Sequence, residues 1–120
     1  MLNKIKNKAV KTALYGNVKR AKISAIAFSK SGTILAMAHN RRTDGHKKKW
    51  TQHAEEVLLY KLNRIKAFVR FNNISILVLR ICKNGIRMAK PCKKCMKLLS
   101  KVDVKILYTD NFGSIKKLAK

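Results

Sequence analysis

With 120 residues, 47% of them hydrophobic, the chain can bury a real core in one compact domain, residues 1–120, and disorder is excluded despite the charge. That charge is extreme: 29 Lys and Arg face 5 Asp and Glu, a formal net of +24. Self-repulsion at low salt makes a polyanion the natural partner and points to nucleic acid, although a lysine-rich codon bias explains part of the excess. No apolar run reaches the roughly 18–20 residues of a membrane span, and the basic N-terminus lacks a signal peptide's uninterrupted apolar core. Three cysteines make no even disulfide framework. A reducing, cytoplasmic setting is expected.

Leu2, Ile5, Ala9 and Ala13, with Val10 and Leu14, recur at helical spacing with lysines on the other face, and predict a first helix ended near Gly16. "KISAIAF" and "TILAMA" are short apolar runs separated by the turn signal "SKSG"; they predict a β-hairpin with strands near 22–29 and 33–38. "HNRRTDGHKKKW" then reads as a polar, basic loop. The stretch "TQHAEEVLLYKL" predicts a helix with Ala54, Val57, Leu58, Leu62 and Ile65 on its buried face. "ISILVLRI" is nearly continuous and rich in branched residues, as in a strand covered on both faces. "KNGIRMAK" returns to loop, and "PCKKCMKLLSK" opens a helix with Pro91 at its first position, where no N–H is needed. "VKILYTD" predicts another strand, "NFG" a turn and "SIKKL" a short final hairpin strand. The order α-β-β-α-β-α-β-(β) gives an α/β fold, a mixed sheet of about five strands with helices on its faces and a C-terminal hairpin.

Cys92 and Cys95 stand three apart at a helix start, so their thiols share one face. Backbone N–H groups and the helix dipole there favour thiolate, the metal-binding form. Both sulfurs reach one tetrahedral zinc at about 2.3 Å, but redox pairs share the same C-x-x-C spacing. His53 narrows the choice. In the first turn of its own helix its Cβ tilts back past the helix end, where side chains from two helices converge. Three protein ligands and an open fourth position describe a catalytic zinc rather than a structural one. Its water would have a pKa near roughly 7, with Glu55 placed to accept and return the proton.

His53-Ala54-Glu55 and Pro91-Cys92-Lys93-Lys94-Cys95, each opening a helix with one strand between, resemble the paired H-x-E and P-C-x-x-C signature of the zinc-dependent cytidine and deoxycytidylate deaminase superfamily. The resemblance covers nearly the whole chain. It implies a three-layer α/β/α sandwich, one zinc per chain, and hydrolytic deamination of a nucleobase, cytosine to uracil by family frequency. It implies His53, Cys92 and Cys95 as zinc ligands and Glu55 as general acid/base. Asn40, in "AHNRR" after the second strand, matches the position where the family places an Asn on the substrate's sugar. Ala54 matches the position whose backbone N–H meets the base. Hydroxide is expected to attack the amino-bearing ring carbon while Glu55 protonates the ring nitrogen, and ammonia leaves. The stretches "HNRRTDGHKKKW", "RMAKPCKKC" and "VKILYTDNFGSI" look most like small deaminases of phages, large viruses and bacteria. About ten residues follow "ILYTD", too few for the helix-crossover-strand ending of the tRNA adenosine and polynucleotide cytosine deaminases. The free cytidine deaminases do end in a hairpin but lack this basic surface.

Around this centre Trp50 either stacks on a base, as in single-strand binders, or caps the core's edge. Arg41, Arg42, Lys47, Lys48 and Lys49 flank the expected mouth of the site and are candidate phosphate contacts, against the common reading of a solvated charge run. Tyr108 and Phe112 either line the site or pack the sheet. Glu56 reads as a surface or helix-start charge, Cys82 as core, His39 as structural and His46 as solvated. The expected activity is deamination of cytosine in single-stranded DNA or RNA, where the base is already unstacked. A free nucleotide such as deoxycytidylate is the alternative substrate. A reading from another class is a non-catalytic nucleic-acid-binding protein with a structural zinc, against which the intact Glu55 stands.

Overall fold

Apolar strands between amphipathic helices give the chain a sheet with two faces to cover. The computed structural model describes residues 2–14, 22–44, 49–82 and 85–118, with the backbone alone for 41–44 and 49–52. In chain order its elements are α1 (Leu2–Leu14), β1 (Lys22–Phe28), β2 (Ile34–His39), β3 (Arg41–Asp44), β4 (Lys49–Gln52), α2 (Ala54–Arg64), α3 (Ala67–Arg70), β5 (Ile74–Cys82), β6 (Gly85–Arg87), α4 (Lys93–Leu99), β7 (Val104–Thr109) and β8 (Ile115–Lys117). The main sheet runs β2-β1-β5-β7-β8, with β6 added alongside β5. β5 and β7 are parallel, joined across α4; the other pairs are antiparallel. No helix among the described residues is long and apolar enough to cross a membrane.

β5 explains the layering. Its side chains alternate between the faces: Leu77 and Leu79 pack with Ile5, Ala9 and Ala13 of α1, while Ile76 and Val78 pack with Val57, Leu58 and Leu62 of α2 and Leu99 of α4. Ala25, Ala27 and Ala38 present little bulk on the second face, where α2 lies. Ser24, fully buried, donates its hydroxyl to the Ala9 carbonyl at 2.7 Å and ties α1 to the sheet. The three-layer sandwich expected from the sequence is observed.

Several local expectations need correction. The stretch read as a basic loop is a two-stranded antiparallel ribbon, β3–β4, pairing Arg41 with Gln52, Arg42 with Thr51, Thr43 with Trp50 and Asp44 with Lys49. Trp50 is its one apolar residue, so no apolar alternation marks it. β6 lies in a second stretch read as loop and pairs Arg87 with Arg80. Pro91 does not open α4: Cys92 is the N-cap and Pro91 precedes it. Ile65 is the C-cap of α2 and is 38% exposed, so it leaves that helix's buried face. Cys82 is only half-buried at the end of β5. The helix end near Gly16 lies outside the described residues.

The β7–β8 turn closes on Asp110, whose Oδ1 accepts from the backbone N–H groups of Phe112 (2.8 Å) and Ser114 (2.9 Å). Gly113, at φ 81°, supplies the left-handed residue that the turn needs. Partial burial pulls the Asp110 carboxyl up, but those two N–H groups and the Lys116 ammonium outweigh it and hold the carboxyl below its usual value. A depressed acid contributes stability that is present above its unfolded pKa and is lost as pH falls through the folded value. Asp110→Asn is therefore expected to lower the unfolding midpoint at neutral pH, and the two proteins should converge as the medium is acidified below the carboxylate range. A midpoint-against-pH series tests this; an offset unchanged at every pH would reject it.

Candidate metal centre

Two helix starts meet on the α2/α4 face. The N-cap of α2 is His53 (φ −71°, ψ 145°) and that of α4 is Cys92 (φ −69°, ψ 168°), both in extended backbone. Ser, Thr, Asp or Asn usually stand at such positions to bond the first helical N–H groups. Here neither side chain makes a cap hydrogen bond. They face one another instead: His53 Nδ1 lies 3.6 Å from Cys92 Sγ and 3.2 Å from Cys95 Sγ, and the three donor atoms all fall within 4.8 Å. Among the described residues this is the sole cluster of three or more potential metal donors. A tetrahedral zinc with Zn–S about 2.3 Å and Zn–N about 2.0–2.1 Å spans N···S edges of about 3.5 Å. The observed separations bracket that edge, and one imidazole with two sulfurs is a donor set that zinc favours. The residues fit the metal.

Cys95 is fully buried in α4, whereas Cys92 is exposed at its start. Burial pushes the Cys95 thiol far up, with Glu55 and Cys92 adding to the effect, so the metal-free thiol keeps its proton. A divalent cation among the donors inverts that balance. Glu55, one residue into α2, is 5% exposed. Burial raises its carboxyl, against its own backbone N–H, His53 and the Cys95 thiol, moving it toward the range useful for proton transfer.

The other sequence candidates fall around this cluster unevenly. Ala54 is the fully buried first residue of α2, where backbone N–H groups have no helical acceptor. Asn40, 3% exposed at the end of β2, accepts the Ile23 N–H through Oδ1 at 3.0 Å and donates its own N–H to the Ile23 carbonyl at 2.9 Å. His39 sits half-buried with Nδ1 3.0 Å from the Asn40 carbonyl. Tyr108 packs half-buried against the α2/α4 cluster. Phe112 is 93% exposed and does not pack the sheet. Glu56 leaves the cluster and pairs with Lys94 at 3.7 Å. Arg41, Arg42, Lys49 and Trp50 belong to the ribbon that runs directly into His53. Lys47 and Lys48, like His46, lie outside the described residues.

The groups that hold the loop entering Cys92 leave no mark on the local sequence pattern. Thr109 donates its hydroxyl to the Arg87 carbonyl (2.9 Å) and accepts the Ala89 N–H on its own carbonyl (2.8 Å). Asn111 accepts the Met88 N–H through Oδ1 at 3.0 Å. These contacts join segments some twenty residues apart in sequence, and no short-range pattern marks them.

Residues 2–110 match the family described as the cytidine and deoxycytidylate deaminase zinc-binding region. No curated protein matches the chain. Among solved structures, the dCMP deaminase of cyanophage S-TIM5 in complex with dCMP and dUMP superposes with a TM-score of 0.70 at 20% identity, over 92% of this chain and 81% of that one. The apo form of that enzyme gives 0.65 at 25% identity, over 92% and 86%. Cytidine deaminase from Burkholderia pseudomallei gives 0.69 at 12% identity, over 99% and 92%, a likeness of fold alone. The matched region contains both halves of the His/Cys/Cys cluster, and the chain belongs to the cytidine and deoxycytidylate deaminase family of zinc-dependent hydrolases.

Proposed function

We propose that the protein deaminates the cytosine of a free pyrimidine nucleotide, deoxycytidylate foremost, to the uracil form. The observation that carries the chemistry is the convergence of His53, Cys92 and Cys95 at 3.2 and 3.6 Å, with buried Glu55 beside them. Zinc held by those three residues would supply Lewis acidity and activate water as the nucleophile. Glu55 would take a proton from the attacking water and deliver it to the ring nitrogen beside the amino-bearing carbon. One water enters and one ammonia leaves. The Ala54 N–H meets the base and Asn40 faces the sugar. One domain, residues 1–120, carries the activity in a reducing cytoplasm, where both cysteines stay available as ligands.

The nucleotide reading is supported by the S-TIM5 enzyme, a dCMP deaminase crystallised with dCMP and dUMP, whose apo form shares 25% identity with this chain. The net charge of +24 favours a second reading, cytosine in single-stranded DNA or RNA, with Arg41, Arg42 and Lys47 to Lys49 on the backbone and Trp50 and Tyr108 against bases. Ammonia release from zinc-loaded protein offered dCMP, deoxycytidine and a cytosine-containing single strand separates the two. Release is expected to be fastest with dCMP and weakly dependent on salt. Activity on the strand alone, falling steeply with salt as counterion release demands, would overturn the nucleotide reading.

A further inference from the structure

β5 sends alternate residues to opposite faces, and the alternation holds to its end: Leu79 and Ile81 pack with α1, while Ile76 and Val78 pack under α2 and α4. Arg80 therefore emerges on the face that carries His53, Glu55 and the cysteines. Its register partners are Ile23 on β1 and Arg87 on β6. Ile23 packs on the same apolar cluster and gives its N–H to Asn40. From Arg87 the chain runs through Met88 and buried Ala89 into Cys92. Two guanidinium groups thus share one cross-strand pair, between the anchor of Asn40 and the segment entering the metal loop.

Like charges directly opposite in a sheet repel one another. Among the described residues, the ion pairs involve Glu56 and Asp110 and neither arginine. Arg80 Nε is shut off from solvent with no acceptor, the only such buried side-chain nitrogen or oxygen among the described residues. Arg87 reaches toward the β7–β8 turn, donating through Nη1 to the carbonyls of Ile86 (3.2 Å) and Asn111 (3.3 Å). A dehydrated donor without an acceptor, beside a second cation, costs stability. An anion with several acceptor oxygens relieves the repulsion between the two cations, and guanidinium forks match phosphate in shape as well as charge.

We propose that Arg80 and Arg87 bind the 5′-phosphate of the nucleotide whose base meets Glu55; the assignment rests on the nucleotide reading above. Calorimetry of zinc-loaded wild type, Arg80→Gln and Arg87→Gln with dUMP and with deoxyuridine tests it without requiring turnover. Each substitution is expected to weaken dUMP about ten- to hundredfold and to leave deoxyuridine within about twofold. Zinc content should hold in both variants, and the unfolding midpoint of Arg80→Gln should not fall, because a repulsive pair has been relieved, whereas Arg87→Gln also gives up its bonds to the Ile86 and Asn111 carbonyls. Equal loss for both ligands, unchanged dUMP affinity, or a lowered midpoint with loss of zinc would each overturn the assignment. So would a cytosine oligonucleotide that loses affinity in the variants while dUMP does not, which would assign the pair to a phosphodiester. Arginine-dependent dUMP binding in a protein that turns over no cytosine nucleotide would uphold the phosphate site and sink the substrate reading instead.

Discussion

Glu55→Gln is expected to slow deamination by about 10²- to 10⁴-fold, the range over which a positioned acid/base contributes, while zinc and fold remain. The carboxyl is 5% exposed in the first turn of α2, and the amide keeps its shape. What the amide loses is the capacity to accept a proton from water and return it to the ring. Burial already works against the carboxylate, so replacing it by a neutral group removes a desolvation cost rather than a stabilising contact. The unfolding midpoint should therefore hold or rise. Ammonia release, metal content and a thermal scan on one preparation decide the matter. A rate within about threefold of wild type would refute the role given to Glu55, and loss of zinc alongside the rate would make the residue structural.

The other large effect falls on stability. Cys95 is fully buried, and without metal its thiol stays protonated. Zinc binding draws the thiolate form into the folded state alone, so its binding free energy adds to folding. At free zinc a thousandfold above its Kd that linkage is worth about 4 kcal/mol, on the order of 10–20 °C in midpoint for a domain of this size. Cys95→Ser is expected to abolish stoichiometric zinc and the dependence of the midpoint on added metal, and a chelator should bring wild type down to a similar value. A wild-type midpoint indifferent to zinc and chelator would contradict the centre described here.

The chemistry was legible because a metal site restricts residue types within short windows. His53 with Glu55, and Cys92 with Cys95, are each local patterns, and both stand where helix periodicity begins. β5 was legible for another reason: covered on both faces, it has no polar alternation to confuse it. The β3–β4 ribbon was not, since pairs such as Arg42 with Thr51 and Asp44 with Lys49 show no apolar alternation in sequence, and only the backbone pairing reveals the register. Pro91 illustrates a finer limit. Proline suits the residue before an N-cap as well as the first helical turn, and the choice is made by the bond from the Met96 N–H to the Cys92 carbonyl at 2.8 Å. Composition raised the expectation of an anionic partner, but a sum of charges does not tell one phosphate from many. Pairing Arg80 with Arg87 required the register of β5 on β6.

The tethers on the metal loop also order events in time. Cys92 and Cys95 leave the ribosome before β7 does, yet Ala89 is held by Thr109 and Met88 by Asn111. Lys6 of α1 closes on the same end of the sheet, donating to the Gly113 carbonyl at 2.7 Å. A nascent chain thus displays both thiols for the interval in which residues 109–113 are still being made. Metal capture is therefore expected to come late, set by the emergence of the segment that braces the loop rather than by the appearance of the ligands.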